Sequence, residues 1–166
     1  SLGINSAFYF FSPHPDKSYW TDTGYTIDEA VVKEAALDLA EGGWEIAPHE
    51  LGYRSEDEIE TEIAHFRDVT GCTPSGTRNH VLTHVPSSLT WKARAGLSYD
   101  STWYAEQTET NFLCGAVHPF APMDTETGRP LSLWEFPFVI EDGIVHRVYA
   151  AGDPRTTEAA IEDGAR

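Results

Sequence analysis

Lysine is almost missing from this sequence: Lys17, Lys33 and Lys92 are the only ones among 166 residues. Basic side chains number 11 against 27 acidic ones, which leaves a formal charge of −16. Nucleic acid and anionic membrane surfaces both call for a positive footprint, so this balance argues against either as a partner. An acid-rich, lysine-poor surface is compatible with a salt-adapted source. Cysteine is scarce too. Cys72 and Cys114 match no metal-binding or redox spacing, and a domain of this size needs no covalent staple. They read as free buried thiols, with a Cys72–Cys114 bridge as the alternative. No apolar run reaches transmembrane length, and no basic leader precedes an apolar segment. The sequence therefore names no compartment; cytoplasmic and cell-envelope-associated are both open. His-Glu-x-x-His, Gly-x-Ser-x-Gly and phosphate-cradling glycine loops are absent, which removes the signatures of zinc proteases, serine hydrolases and nucleotide binders.

What the chain does have is apolar and aromatic bulk. Hydrophobic residues make up 40%, with five Trp, seven Tyr and eight Phe. That suffices for one sizeable core in one domain, and for aromatic surfaces of the kind that stack on ligands. Residues 151–166 are polar and acidic and read as a C-terminal tail. Residues 7–11 are apolar so near the start that the chain is expected to open inside structure rather than ahead of it.

The hydrophobic rhythm alternates strand and helix. Residues 6–11 form the continuous apolar run of a strand covered on both faces. Thr26 followed by Glu29 marks a helix start. Val31, Ala35 and Leu39, backed by Val32 and Ala36, give that helix a buried stripe, and Gly42-Gly43 stops it. Residues 43–49 read as the next strand, ending in His49. Ser55 and Glu58 form a second capping box, with Ile59, Ile63, Phe66 and Thr70 inward and Gly71 as the stop. An extended piece over residues 73–77 delivers Arg78-Asn79-His80. Pro86 opens a short helix through Trp91 and Lys92 that Gly96 ends, and residues 97–99 lead to Asp100. Further strands are expected over residues 111–117 and 131–140, with a proline-fixed loop between them. Strands flanked by helices usually lie in a largely parallel sheet, so the fold class is α/β, a barrel or open sheet with its polar strand ends on one rim.

The rim collects the residues suited to chemistry. His49 and His80 come from different strands and, with a carboxylate, make the mixed nitrogen and oxygen set that binds zinc or another divalent ion. His49 reads equally as a structural histidine at a loop mouth. Arg78 and His80 share a face if the backbone is extended. An arginine there holds a carboxylate or sets the potential for a nearby acid or base. His84 is set aside because Pro86 interrupts the helix that would pair it with His80, and His118 is a lesser candidate. Asp100 stands at a strand end. Glu135 is a lone charge in the apolar run Leu133-Trp134-Glu135-Phe136-Pro137, where it is either solvated or paired, because burial alone is expensive.

These same segments carry a resemblance. Gly3-Ile4-Asn5-Ser6-Ala7-Phe8-Tyr9-Phe10 is similar to the second strand of the NodB-like polysaccharide deacetylases. Gly43-Trp44-Glu45-Ile46-Ala47-Pro48-His49 is similar to their Gly-His-Glu-Ile-x-x-His, and Gly76-Thr77-Arg78-Asn79-His80 to their arginine-containing third motif. Tyr99-Asp100-Ser101-Thr102, Pro119-Phe120 and Leu133-Trp134-Glu135-Phe136-Pro137 resemble later landmarks of a divergent branch. The match spans residues 1–150 and implies a distorted (β/α) barrel, incomplete at the N-terminus because the family's aspartate-bearing strand would precede Ser1. It further implies a divalent metal, commonly zinc, held by His49 and repaired by His80, with Arg78, Asp100 and Glu135 as catalytic groups. Tyr19, Trp20 and Trp103 are the implied sugar-stacking surfaces. Two departures stand out: Tyr53 occupies the place of the second metal histidine, and the late Leu-x-His motif is absent. Two readings follow. One is metal-dependent hydrolytic deacetylation of a polysaccharide or amino sugar. The other is a catalytically inactive carbohydrate-binding domain, or a structural partner in a polysaccharide assembly complex. An open N-terminal edge would be covered by a partner or a second copy of the chain.

Overall fold

The computed structural model describes residues 6–13, 24–50, 52–103 and 118–137. Strand β1 (Ala7–Phe10) is followed by helix α1 (Ala30–Glu41), β2 (Glu45–Glu50), α2 (Glu56–Thr70) and β3 (Gly76–Asn79). A 3-10 turn (His80–Leu82) leads to α3 (Ser88–Arg94), β4 (Tyr99–Asp100) and β5 (Trp134–Glu135). All neighbouring pairs run parallel, and the strand order β1-β2-β3-β4-β5 is the order of the sequence. A doubly wound sheet would reverse its order at a switch point. Sequential parallel strands with helical crossovers are instead the run of a (β/α) barrel.

Capping chemistry sets the helices. Ser55 Oγ accepts the Glu58 amide at 3.2 Å, and Gly71 ends α2 at a φ of 71°, where a Cβ would be strained. The expected inward residues Ile59, Ile63, Phe66 and Thr70 are all buried. α1 starts later than Thr26 suggests. Only the reverse half of the box forms, with the Thr26 amide donating to Glu29 Oε1 at 3.0 Å. Its stripe is accordingly one residue along: Val31 and Ala35 are exposed, while Val32, Ala36, Leu39 and Ala40 pack with Ile27, Ile46 and Phe66. A second cluster joins Ile59 and Ile63 to Leu89, Leu97 and Leu133.

Three strands differ from their sequence reading: within the described residues β5 is Trp134–Glu135 alone, shorter than the expected span 131–140. β3 lies at Gly76–Asn79 rather than over residues 73–77: Thr77 bonds Pro48 of β2, and Arg78 and Asn79 bond Ser101 and Thr102 just beyond β4. β1 is only partly buried, with Phe8 39% exposed, since it is the outermost strand of the described sheet. Cys72 is a free thiol, half-buried rather than buried. The expected strand over residues 111–117, Cys114 and the tail at 151–166 lie outside the described residues. Among the described residues, no helix is long and apolar enough to cross a membrane.

Candidate active site

Register sorts the sheet's side chains onto two faces. His49 pairs with Arg78, Gly76 with Tyr99 and Tyr99 with Trp134, so these residues lie on one side. Glu50 pairs with Asn79, Thr77 with Asp100 and Asp100 with Glu135, and these lie on the other side, against the helices. A single-residue alternation thus decides which polar groups meet.

On the first face, β1 and the ends of β2 and β3 line an open cleft of about 440 Å³, with Tyr9, Phe11, Tyr25, His49, Arg78 and His80 beside Ala7 and Phe8. His49 Nδ1 lies 2.8 Å from the Arg78 carbonyl. A carbonyl only accepts, so Nδ1 carries the proton and Nε2 is the basic nitrogen of the neutral ring. The His80 ring stands edge-on to His49 at 5.4 Å between centroids, and Phe11 packs on both, at 4.8 Å and 5.0 Å. Arg78 is moored through Nε to the Ser101 carbonyl at 3.0 Å and through Nη2 to Ser101 Oγ at 2.8 Å. Its guanidinium lies 5.1 Å over the Tyr9 ring, a cation–π contact. Tyr9 and Tyr99 share a 3.2 Å hydroxyl contact, and burial raises both phenols above their ordinary range. They stay neutral donors at any physiological pH.

His80 reaches this pocket by an uncommon backbone. Val81 and Leu82, which follow it, have φ of 46° and 55°, in the left-handed region that a β-branched valine rarely adopts. The turn is held by Thr83, whose amide and hydroxyl both donate to the His80 carbonyl, at 3.2 Å and 2.9 Å. Such local strain tends to persist where a side chain must be held in place.

The second face is ionic and buried. Lys92, from α3, is fully buried and points its ammonium at Asp100 Oδ1 (2.5 Å), Glu50 Oε2 (3.3 Å) and Asn79 Oδ1. Thr102 Oγ1 contacts Asp100 Oδ1 at 2.9 Å, and the Trp103 amide donates to Glu135 Oε1 at 3.0 Å. Burial raises the carboxyls. Glu50 is pushed to about 7 despite Lys92, and Glu135 to about 9 with the Asp100 charge adding to the effect. Burial works against the Lys92 ammonium, but Asp100 and Glu50 outweigh it and raise its pKa.

The structure therefore brings His49, His80 and Arg78 together and sets Asp100 and Glu135 on the opposite face of the same sheet. Trp103 lies beyond β4, its indole Nε1 3.0 Å from His84 Nε2 and its ring 5.6 Å from Phe120. His118 is exposed, and Tyr19 and Trp20 lie outside the described residues. Sequence reasoning passed over Phe11 as a pocket wall, and Lys92, Glu50 and Asn79 as a buried set. One signal was there: Ser88, Leu89 and Lys92 fall on the inward side of a short helix, in a chain with three lysines. As for the metal that the resemblance implies, the tautomer of His49 suits an imidazole donor, which commonly gives its other N–H to a carbonyl. Among the described residues, however, no three His, Cys, Asp or Glu side chains converge as a metal centre needs. His49 and His80 supply two donors of such a set.

No family model and no curated protein matches the chain. Solved structures do. A candidate polysaccharide deacetylase from Mycobacterium smegmatis aligns over 76% of this chain and 50% of its own, at 19% identity and a TM-score of 0.48. PuuE allantoinase aligns over 78% of this chain and 42% of its own, at 16% identity and a TM-score of 0.54. The chain thus spans half or less of the length of these two structures. At these identities the likeness concerns architecture alone, and the chain shares an α/β fold with PuuE allantoinase.

Proposed function

We propose that the pocket on the first face binds an acylated carbohydrate, and that the chain is part of a hydrolase that removes the acyl group. One observation carries this reading: a basic imidazole, a second imidazole and an anchored guanidinium meet in one aromatic-walled cavity at the carboxyl ends of successive parallel strands. That is where sites lie in this class of fold. Phe11 and Tyr25 offer flat apolar walls to a sugar ring, whose apolar face and hydroxyl edge such a mixed lining suits. His49 Nε2 is placed to take a proton from an attacking water, and Arg78, held by Ser101, supplies positive charge where negative charge develops on an acyl oxygen. His49 and His80 are also the residues that would hold a divalent ion, zinc being the one imidazoles favour, and His49 Nε2, the ring's one lone pair, would then be a ligand in place of the base. Such an ion supplies Lewis-acid polarisation of the acyl group.

The test is acetate release from acetylated oligosaccharides, N- and O-linked, with and without added zinc, by the native chain and by His49→Ala. Release by the native chain that His49→Ala lowers at least about 100-fold fits a general base in the pocket. A second reading, carbohydrate binding without turnover, is favoured by the retreat of Asp100 and Glu135 to the ionic face. It predicts saturable sugar binding with no acetate. Neither release nor binding would refute both.

A further inference from the structure

We propose that Thr102, buried on the helix side of the sheet, is a positioning residue for Arg78: its hydroxyl takes over a backbone hydrogen bond of the β3–β4 ladder and so leaves the Ser101 carbonyl to the guanidinium. The inference rests on the reading of Arg78 as the working positive charge of the cleft, and deepens it. Parallel strands exchange evenly spaced hydrogen bonds at every second residue. Between β3 and β4, the Tyr99 amide donates to the Ser75 carbonyl at 3.2 Å, and the Ser101 amide to the Thr77 carbonyl at 3.0 Å. The next rung of that ladder runs from the Asn79 amide to the Ser101 carbonyl. Here the Asn79 amide goes to Thr102 Oγ1 instead, at 3.1 Å, and the Ser101 carbonyl accepts Arg78 Nε at 3.0 Å.

The exchange matters because of direction. A ladder carbonyl lies in the plane of the sheet and aims at the next strand, whereas the Arg78 side chain rises off that plane. The groups that turn the chain out of the ladder after Asp100 all sit on the helix side. The Thr102 amide donates to Asp100 Oδ2 at 3.1 Å, an Asx turn. Its hydroxyl donates to Asp100 Oδ1 at 2.9 Å, nearer than Asn79 Oδ1 at 3.3 Å. Lys92 holds Asp100 Oδ1 at 2.5 Å and reaches Thr102 Oγ1 at 3.4 Å. A hydroxyl has one proton and two lone pairs, and Asp100, Asn79 and Lys92 use all three. On the open face, the Ser101 hydroxyl accepts from Arg78 Nη2 at 2.8 Å and gives its own proton to the Phe136 carbonyl at 3.0 Å. Thr102 is no part of the cleft lining, so it acts there through Ser101 alone.

Thr102→Val keeps the shape and removes the hydroxyl, and Thr102→Ser keeps the hydroxyl. In heteronuclear NMR, the Arg78 Nε–H is identified by its loss in Arg78→Lys. It is expected to exchange with solvent roughly 10-fold or more faster in Thr102→Val than in the native chain, and near the native rate in Thr102→Ser. The native chain is expected to show a coupling across the hydrogen bond from the Ser101 amide to the Thr77 carbonyl carbon, and none from the Asn79 amide to that of Ser101. In Thr102→Val the Asn79–Ser101 coupling is expected to appear. A native Asn79–Ser101 coupling overturns the proposal whether or not any variant folds, and so does native exchange at Arg78 in a folded Thr102→Val. Where acetate release is found, Thr102→Val should lower kcat about 10-fold or more with KM little changed, and Thr102→Ser should restore it. A native chain that releases no acetate defeats the hydrolase reading, while exchange and coupling still decide this one.

Discussion

The two faces of one sheet have been solved in opposite ways. Against the helices, where a parallel sheet normally presents branched apolar residues, β3, β4 and β5 present Thr77, Asn79, Asp100 and Glu135, balanced by a buried lysine. On the other face, an imidazole pair and an arginine share a cavity with aromatic rings. The charges that hold the strands together are thus walled off from the charges that could meet a ligand. The difference teaches that burial and function pull on alternate residues of the same strand, Asn79 one way and Arg78 the other.

The comparison can be broken most forcefully at Asp100. Asp100→Ala leaves Lys92 with one close carboxylate fewer and is expected to cost about 3–5 kcal/mol in guanidinium unfolding. A cost below ~1 kcal/mol would show that the ionic layer is no mainstay of the fold. The pH dependence sharpens the same point. Glu135 and Glu50 titrate in the folded chain at about 9 and about 7, above the ordinary carboxyl range, so the folded state keeps protons that the unfolded chain releases. Their contribution is complete below about pH 4 and is lost as pH rises through those two values. Thermal melts from pH 5 to 9.5 should fall with pH, and Glu135→Gln should flatten the upper part of that fall.

Smaller effects belong to the open face. A Cβ at Gly76 would lie 2.3 Å from the Tyr99 ring, so Gly76→Ala must push that ring off Tyr9 at a cost of about 1–3 kcal/mol. Val81→Gly removes the left-handed strain beside His80 and is expected to add stability of up to about 1 kcal/mol. If pocket binding weakens in that variant while stability rises, the strain serves the site. His49→Ala should change unfolding least, by less than about 1 kcal/mol, because the ring is only half-buried.

Much of this was legible before any coordinates. Caps and stops are local chemistry, and Ser55 with Glu58, Gly71 and the stripe Ile59–Ile63–Phe66 read correctly because each depends on residues within a turn or two. The convergence of His49, Arg78 and His80 was also readable from the recurrence of polar strand ends. What escaped the sequence was register. Whether Asp100 sides with Arg78 or with Thr77 depends on one residue of offset between strands, and β3 sits further along the chain than the extended piece expected over residues 73–77. Thr26 misled for a related reason: Ile27, buried and bonded through its amide to the Phe11 carbonyl, keeps the first turn from starting there. Lys92 escaped because a lysine in a short helix is ordinarily solvated.

The 2.8 Å contact between the His49 ring and the backbone of its neighbouring strand has a consequence for heredity of function. Which nitrogen of that imidazole bears hydrogen is dictated by main-chain geometry, and no side chain needs to be kept for it. Evolution can therefore rewrite the identity of residue 78 without touching the proton inventory of residue 49. A shift in how the two strands align would alter it at once.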